Sequence, residues 1–354
     1  MGSTVKNIVE PLVILAIFAI GIQANRRRQL TNFRDQWPTS PHIPDAEIPL
    51  LRHSTPETTR MNGIRIPDNR RFRRNFISKL LARYPFAMEV FYWNLTYWPY
   101  QLARAASAIY LNANPQRRAI VTTLAQAHAS QIIALEEKLG IAVELAFQRY
   151  ILRCMPLVMT LMSAVYLAHI SVGIAFLAYG FTYFPRARFQ VVRRAIALDN
   201  LLAFPLLSLW RCAPPRLMLR RLGFIDILHP PPGVGGETSA WANNRFQLTL
   251  AAMPSLHFGT AVLLGMSVAL WGRHTWLRVL APLYPIIMAL TVVATANHWI
   301  LDCVVGVCVV AAGLYFNRVL LLLQPFEEWL FWILRAERPR DRVEEEDDLC
   351  KIEA

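Results

Sequence analysis

Two histidines, a carboxylate, a serine and an arginine stand out in an otherwise apolar chain. Ser255 and His257 lie in MPSLHFG (253–259), where a polar loop gives way to an apolar run. His298 and Asp302 lie in NHWILD (297–302), four residues apart, a spacing that on a helix places them on one face. A carboxylate bonded to one imidazole nitrogen fixes the tautomer and leaves the other nitrogen as a nucleophile or base. Arg216 follows two prolines in RCAPPRLMLRRLGFIDIL (211–228) and offers planar, bidentate donors suited to phosphate. Pro254 suits the first turn of a helix, whose free N–H groups attract anions, and Ser255 adds a hydroxyl donor. The set comprises a nucleophile with its orienter, a second histidine able to act as an acid, and an anion clamp. It suits phosphoryl transfer through a phosphohistidine. The loose transition state of that reaction needs positive charge around its equatorial oxygens and a proton for the leaving oxygen.

The elements that must position these residues read as membrane helices. Of 354 residues 55% are hydrophobic, mean hydropathy is +0.30, and several apolar runs approach the ~20 residues that cross a bilayer. The clear spans are 154–184, 195–211, 251–271, 277–296 and 299–323. A first helix covers 8–22; its arginines (Arg26, Arg27, Arg28) follow the apolar run, the reverse of a signal peptide. The stretch 85–111 reads as a span or as an interfacial helix, and 115–150 as a helix lying along the membrane or capping the bundle. Glu136 and Glu144 in that helix read as structural. Between them these segments give four regions. Residues 1–25 are an N-terminal membrane helix, and 26–84 a basic cytosolic linker with an amphipathic helix at 69–84. Residues 85–325 form the membrane domain, and 326–354 a cytosolic tail.

The formal net charge is +13. No nucleic-acid reader motif accompanies it, and the basic residues cluster between apolar runs as orientation signals do. With 26–84 in the cytosol, the short loops 185–194 and 272–278 also fall inside and carry no acid. The starts of the 251–271 and 299–323 helices and the loop 212–249 then share the non-cytosolic face. The five cysteines (Cys154, Cys212, Cys303, Cys308, Cys350) form no C-x-x-C pair or His/Cys cluster, so neither a zinc site nor a disulfide framework is indicated. The residues that carry the chemistry require no metal and no cofactor.

PSLH and HWILD resemble the second and third motifs of the type 2 phosphatidic acid phosphatase superfamily, which includes lipid phosphatases and vanadium haloperoxidases. APPRLMLRRLGFIDIL, AAMPSLHFG and VVATANHWILD, in this order, look more particularly like the inositol phosphorylceramide synthase (aureobasidin-target) branch. The resemblance runs over about residues 130–320. It implies an all-α, polytopic membrane bundle with a six-helix lipid-phosphatase-type core plus the N-terminal helix. It implies His298 as nucleophile, Asp302 as its orienter, His257 as the acid for the leaving group, and Ser255 and Arg216 as phosphate ligands. Two positions depart from the superfamily pattern. Leu209 stands where a lysine is expected, and Val292 where an arginine is expected; Arg211, Arg220, Arg221 or Arg245 are candidates to compensate.

The expected activity is that of a lipid phosphatase or phosphotransferase on a lipid phosphate ester, in a multi-pass membrane protein that in a eukaryote would sit in the endoplasmic reticulum or Golgi. A prenyl diphosphate phosphatase and a non-catalytic lipid-binding membrane protein are the alternatives. The partners are a lipid phosphate and the bilayer, with no nucleic acid.

Overall fold

The computed structural model describes residues 2–26, 60–61, 63–218, 222–228 and 249–339. The chain divides into two compact units, one of residues up to Ala19 with Tyr92–Arg318, the other of Ile20–Phe91 with the segment from Val319. The helices are α1 (Gly2–Ala24), α2 (Phe76–Arg83), α3 (Ala87–Asn112), α4 (Pro115–Leu139), α5 (Glu144–Cys154), α6 (Pro156–Tyr183) and α7 (Arg186–Leu209). After the motif loop come α8 (Leu256–Trp271), α9 (Thr275–Leu280), α10 (Leu283–Ala294), α11 (Ile300–Phe316) and α12 (Gln324–Ile333). Among the described residues, three stretches are long and apolar enough to cross a membrane: Pro156–Tyr183, Thr275–Ala294 and Ile300–Ile333. Val9–Ala24 and Leu256–Trp271 are shorter apolar helices.

Several boundaries differ from the sequence expectation, for local reasons. The single helix expected over 115–150 is two. α4 starts on Asn114, whose side chain caps two N–H groups, and ends at Gly140 in the left-handed conformation that glycine adopts at little cost. The expected span 277–296 is broken into α9 and α10 at Ala281–Pro282, since proline supplies no N–H to continue a helix. The amphipathic stretch 69–84 forms a single 3-10 turn (Arg70–Phe72) and then α2. Most of the linker before it, and the acidic end of the tail, lie outside the described residues.

In the smaller unit, Asn69 bonds both the backbone and the carboxylate of Glu328, and Arg73 pairs with Glu337 at 3.0 Å. The larger unit is built around α11, which packs against α7 and α8, while α10 packs against α6 and α8. In a bilayer close packing must do what the hydrophobic effect does in water, and small residues permit it. A Cβ on Gly259 of α8 would stand 2.6 Å from the Gly306 carbonyl of α11, and one on Gly306 would collide with the Ser255 carbonyl. Two turns further along α11, a Cβ on Gly313 would stand 3.2 Å from the Ala195 carbonyl of α7. This approach lets the Ser255 N–H donate to the Asp302 carbonyl at 2.9 Å, joining the two motifs through their backbones.

Gly306→Ala tests the crossing. In an open helix the change would add roughly 0.5–1 kcal/mol of stability. Here the methyl meets backbone that has no other place to go. Purified protein is expected to lose about 1–3 kcal/mol in thermal or denaturant unfolding, and a stabilised variant would show that α8 and α11 are not in backbone contact.

Candidate active site

His298 sits between two helices rather than within one. α10 ends in a Schellman motif: the Ala296 N–H donates to Val293 and the Asn297 N–H to Val292, both at 3.0 Å. The left-handed position of that motif is held by Ala296 (φ 55°) instead of the usual glycine, a strained choice for a residue with a Cβ. Thr295 and Asn297 brace the turn, with Asn297 Nδ2 donating to Thr295 Oγ1 at 2.8 Å. Trp299 then caps α11. It is fully buried, its N–H donates to Asp302 Oδ2 at 2.8 Å, and its indole N–H donates to the Ala213 carbonyl at 3.0 Å. His298 is the one residue left between the two devices.

Its imidazole is oriented by backbone. Nδ1 lies 2.7 Å from the Ala252 carbonyl oxygen and 3.6 Å from Asp302 Oδ2. A carbonyl only accepts, so Nδ1 carries the hydrogen and Nε2 keeps its lone pair. The tautomer expected from the sequence is present, but the expected helical contact is not how it arises. His298 precedes the helix, and Asp302 approaches it with Oδ2, the oxygen that accepts the Trp299 N–H, while its Oδ1 has no hydrogen-bond partner among the described residues. The Ala252 carbonyl is itself fixed, because the Ala252 N–H donates to the Cys212 carbonyl at 3.0 Å. The three motif segments meet at one end of the larger unit through this ladder.

The second motif departs from expectation in the same way. Pro254 precedes the helix instead of opening it. Ser255 is the N-cap, wholly enclosed, its Oγ accepting from the Phe258 N–H at 3.4 Å. His257, in the first turn of α8, faces His298 with ring centroids 6.0 Å apart. It stacks on Tyr166 at 4.1 Å and lies 5.0 Å from the ring of His169, whose Nδ1 is 2.7 Å from the Tyr284 hydroxyl. Tyr166, His169 and Tyr284 were not foreseen. The available signal was a histidine within a long apolar helix, a costly placement that usually serves a site.

Arg216 belongs to a 3-10 turn, Pro215–Met218, moored by its N–H to the Ala296 carbonyl at 2.9 Å. Its buried guanidinium pairs with Asp226 at 2.9 Å, and its Nε has no hydrogen-bond partner among the described residues. The two departures from the superfamily pattern point elsewhere: Leu209 is 84% exposed and Val292 is fully buried in an apolar cluster with Ala261, Met288 and Cys303. Arg211 donates to Ser107 Oγ at 2.6 Å; Arg220, Arg221 and Arg245 lie outside the described residues. A cation that the sequence did not single out is Arg104 of α3, half-buried and within electrostatic reach of Tyr166 and His257. No group of three or more metal-ligating side chains occurs among the described residues.

Among protein families, the PAP2 superfamily matches residues 130–316, more than half of the chain and all three motif segments. The chain belongs to the PAP2 superfamily. No curated protein and no solved structure matches it. Membership of the PAP2 superfamily together with three membrane-length apolar helices makes this a membrane protein, and it fits a lipid phosphatase or phosphotransferase.

Two variants probe the geometry. Asp226→Asn removes the charge now held by Arg216, and inorganic phosphate is expected to inhibit roughly tenfold more tightly; unchanged inhibition would place Arg216 outside the anion site. His169→Phe keeps ring packing but removes the nitrogen between His257 and Tyr284. A fall in kcat of about tenfold or more is expected, with the near-ultraviolet circular dichroism spectrum retained. Turnover within twofold of wild type would make His169 a packing residue only.

Proposed function

We propose that the protein transfers the phosphoryl or phospho-head group of a membrane lipid through a phosphohistidine at His298. The observation that carries this reading is the locked tautomer, with Nδ1–H committed to the Ala252 carbonyl and the Nε2 lone pair without a hydrogen-bond donor among the described residues, beside a second imidazole. His298 Nε2 attacks phosphorus and the P–O bond to the leaving alcohol breaks. His257 takes up a proton as the anionic phosphate binds and gives it to that oxygen. The neutral His257 then takes a proton from the incoming water or alcohol as its oxygen displaces His298. Arg216 and Ser255 would bind the phosphoryl oxygens, with Asp302 balancing charge behind the nucleophile.

The order and wording of the three motifs support the inositol phosphorylceramide synthase-like branch. There, the acceptor would be a ceramide-type alcohol and the donor a lipid phosphodiester carrying the head group. The distribution of basic loops supports placing the site on the non-cytosolic face.

The test uses purified protein in lipid vesicles, a panel of lipid phosphomonoesters, prenyl diphosphates and head-group phosphodiesters, and a ceramide-type alcohol present or absent. Head-group exchange that depends on the alcohol is expected. His298→Ala should reduce turnover on the order of 10^4-fold or more while leaving the folded protein intact. Undiminished turnover in that variant would overturn the assignment.

A further inference from the structure

Three consecutive backbone N–H groups follow His298, and each is taken by a different carboxyl group. The Trp299 N–H donates to Asp302 Oδ2 at 2.8 Å, the Ile300 N–H to Glu144 Oε1 at 3.2 Å, and the Leu301 N–H to Glu136 Oε1 at 2.8 Å. These are the orphan donors of the first turn of α11, the place where a helix otherwise attracts an anion. Glu136 and Glu144 come from separate helices, α4 and α5, and both are buried. Because the N–H groups they hold are adjacent in the chain, the two carboxyl groups are brought side by side at the start of α11, with Glu144 placed as the neighbour that acts on Glu136. Glu136 Oε2 is buried and receives no donor among the described residues. Two buried carboxylates in contact repel, whereas a carboxylic acid donates to its neighbour. Protonation of Oε2 answers both problems, since the resulting O–H can donate to Glu144.

We infer that Glu136 and Glu144 form an acid pair sharing one proton, and that this pair positions the His298 turn for the reaction proposed above. They are positioning residues: they touch the peptide N–H groups after His298, not the phosphate. With the proton in place the first turn of α11 is clamped by three carboxyl groups bearing two charges. Without it, a third negative charge loosens the clamp and adds repulsion behind a nucleophile that must receive an anionic phosphate. Burial, then the hydrogen bond with Glu144, push the Glu136 pKa up to about 8. The other groups facing Glu136 are Asp302 and, within the same field, the thiols of Cys212 and Cys303; His298 lies beyond Asp302.

The sign follows from linkage. The folded state holds the Glu136 proton through a pH range in which an unfolded carboxyl has lost it. Stability therefore falls as pH rises from the ordinary carboxyl value to about 8, and levels off above that. Two readouts test the pair in the full-length protein. In turnover of a lipid phosphate between pH 6 and 10, kcat is expected to decline above about pH 8 with KM within twofold. Glu136→Gln retains both the acceptor and a permanent donor. It should keep kcat within about threefold at pH 7 and lose that alkaline decline, while Glu136→Ala should lose about tenfold in kcat at every pH. Thermal unfolding over the same range should lose its pH dependence in Glu136→Gln and also in Glu144→Gln, which serves if the first variant folds poorly. An alkaline limb and a melting profile unchanged in both glutamine variants would overturn the acid pair. Unfolding does not depend on turnover, so an inactive wild type whose stability still shows this dependence would count against the proposed reaction and not against the pair.

Discussion

The hydrogen bond from His298 Nδ1 to the Ala252 carbonyl holds the site together. It links the last motif to the second, and the Ala252 N–H passes the link to Cys212 and so to the first. A backbone carbonyl cannot change its protonation or adopt another rotamer. The tautomer of His298 is therefore set by the chain path, which packing fixes. An imidazole oriented by a side-chain carboxylate would depend on that carboxylate's charge; this one depends on where two loops cross. Asp302 is left to cap α11 through the Trp299 N–H.

The elements around this bond share the task of holding short segments still. The Schellman turn ends α10 with Ala296 in a conformation that costs a non-glycine residue energy, and buried neighbours on both sides enforce it. Trp299, wedged edge-on against Phe224 with its indole N–H on Ala213, stops the opposite side of the turn from moving. Arg216 is moored by its own N–H to Ala296. Each contact is ordinary in size, and together they leave His298 little freedom, as the proposed nucleophilic role requires.

Much of this was legible in the sequence. The motif residues announced the chemistry by type, and hydropathy gave the principal apolar helices. The threading of basic loops led to the expectation that three distant segments share one end, and the larger unit does bring them together. Less legible was the manner of contact. A four-residue spacing suggested that His298 and Asp302 meet along a helix, yet the helix begins two residues after His298. The orienting acceptor, a carbonyl 46 residues away, has no side chain to announce it. Glu136 and Glu144 read as structural, either capping the site or solvating a helix, and the sequence does not choose between these, because nothing local says that a left-handed Gly140 folds α4 and α5 over the start of α11. Tyr166, His169 and Tyr284 are single polar residues within apolar runs, and only the packing of α6 against α10 shows that two of them touch.

The glycine crossing of α8 and α11 has a consequence for how such a chain can vary. Where two helices meet backbone to backbone, the register between Ser255 and Asp302 is set by atoms that every residue shares. The identity requirement falls on a few glycines and on the motif residues themselves. Side chains on the outward faces of the same helices have only to be apolar. A protein built this way concentrates its specification in short islands, and the long stretches between them are held to a composition more than to a sequence.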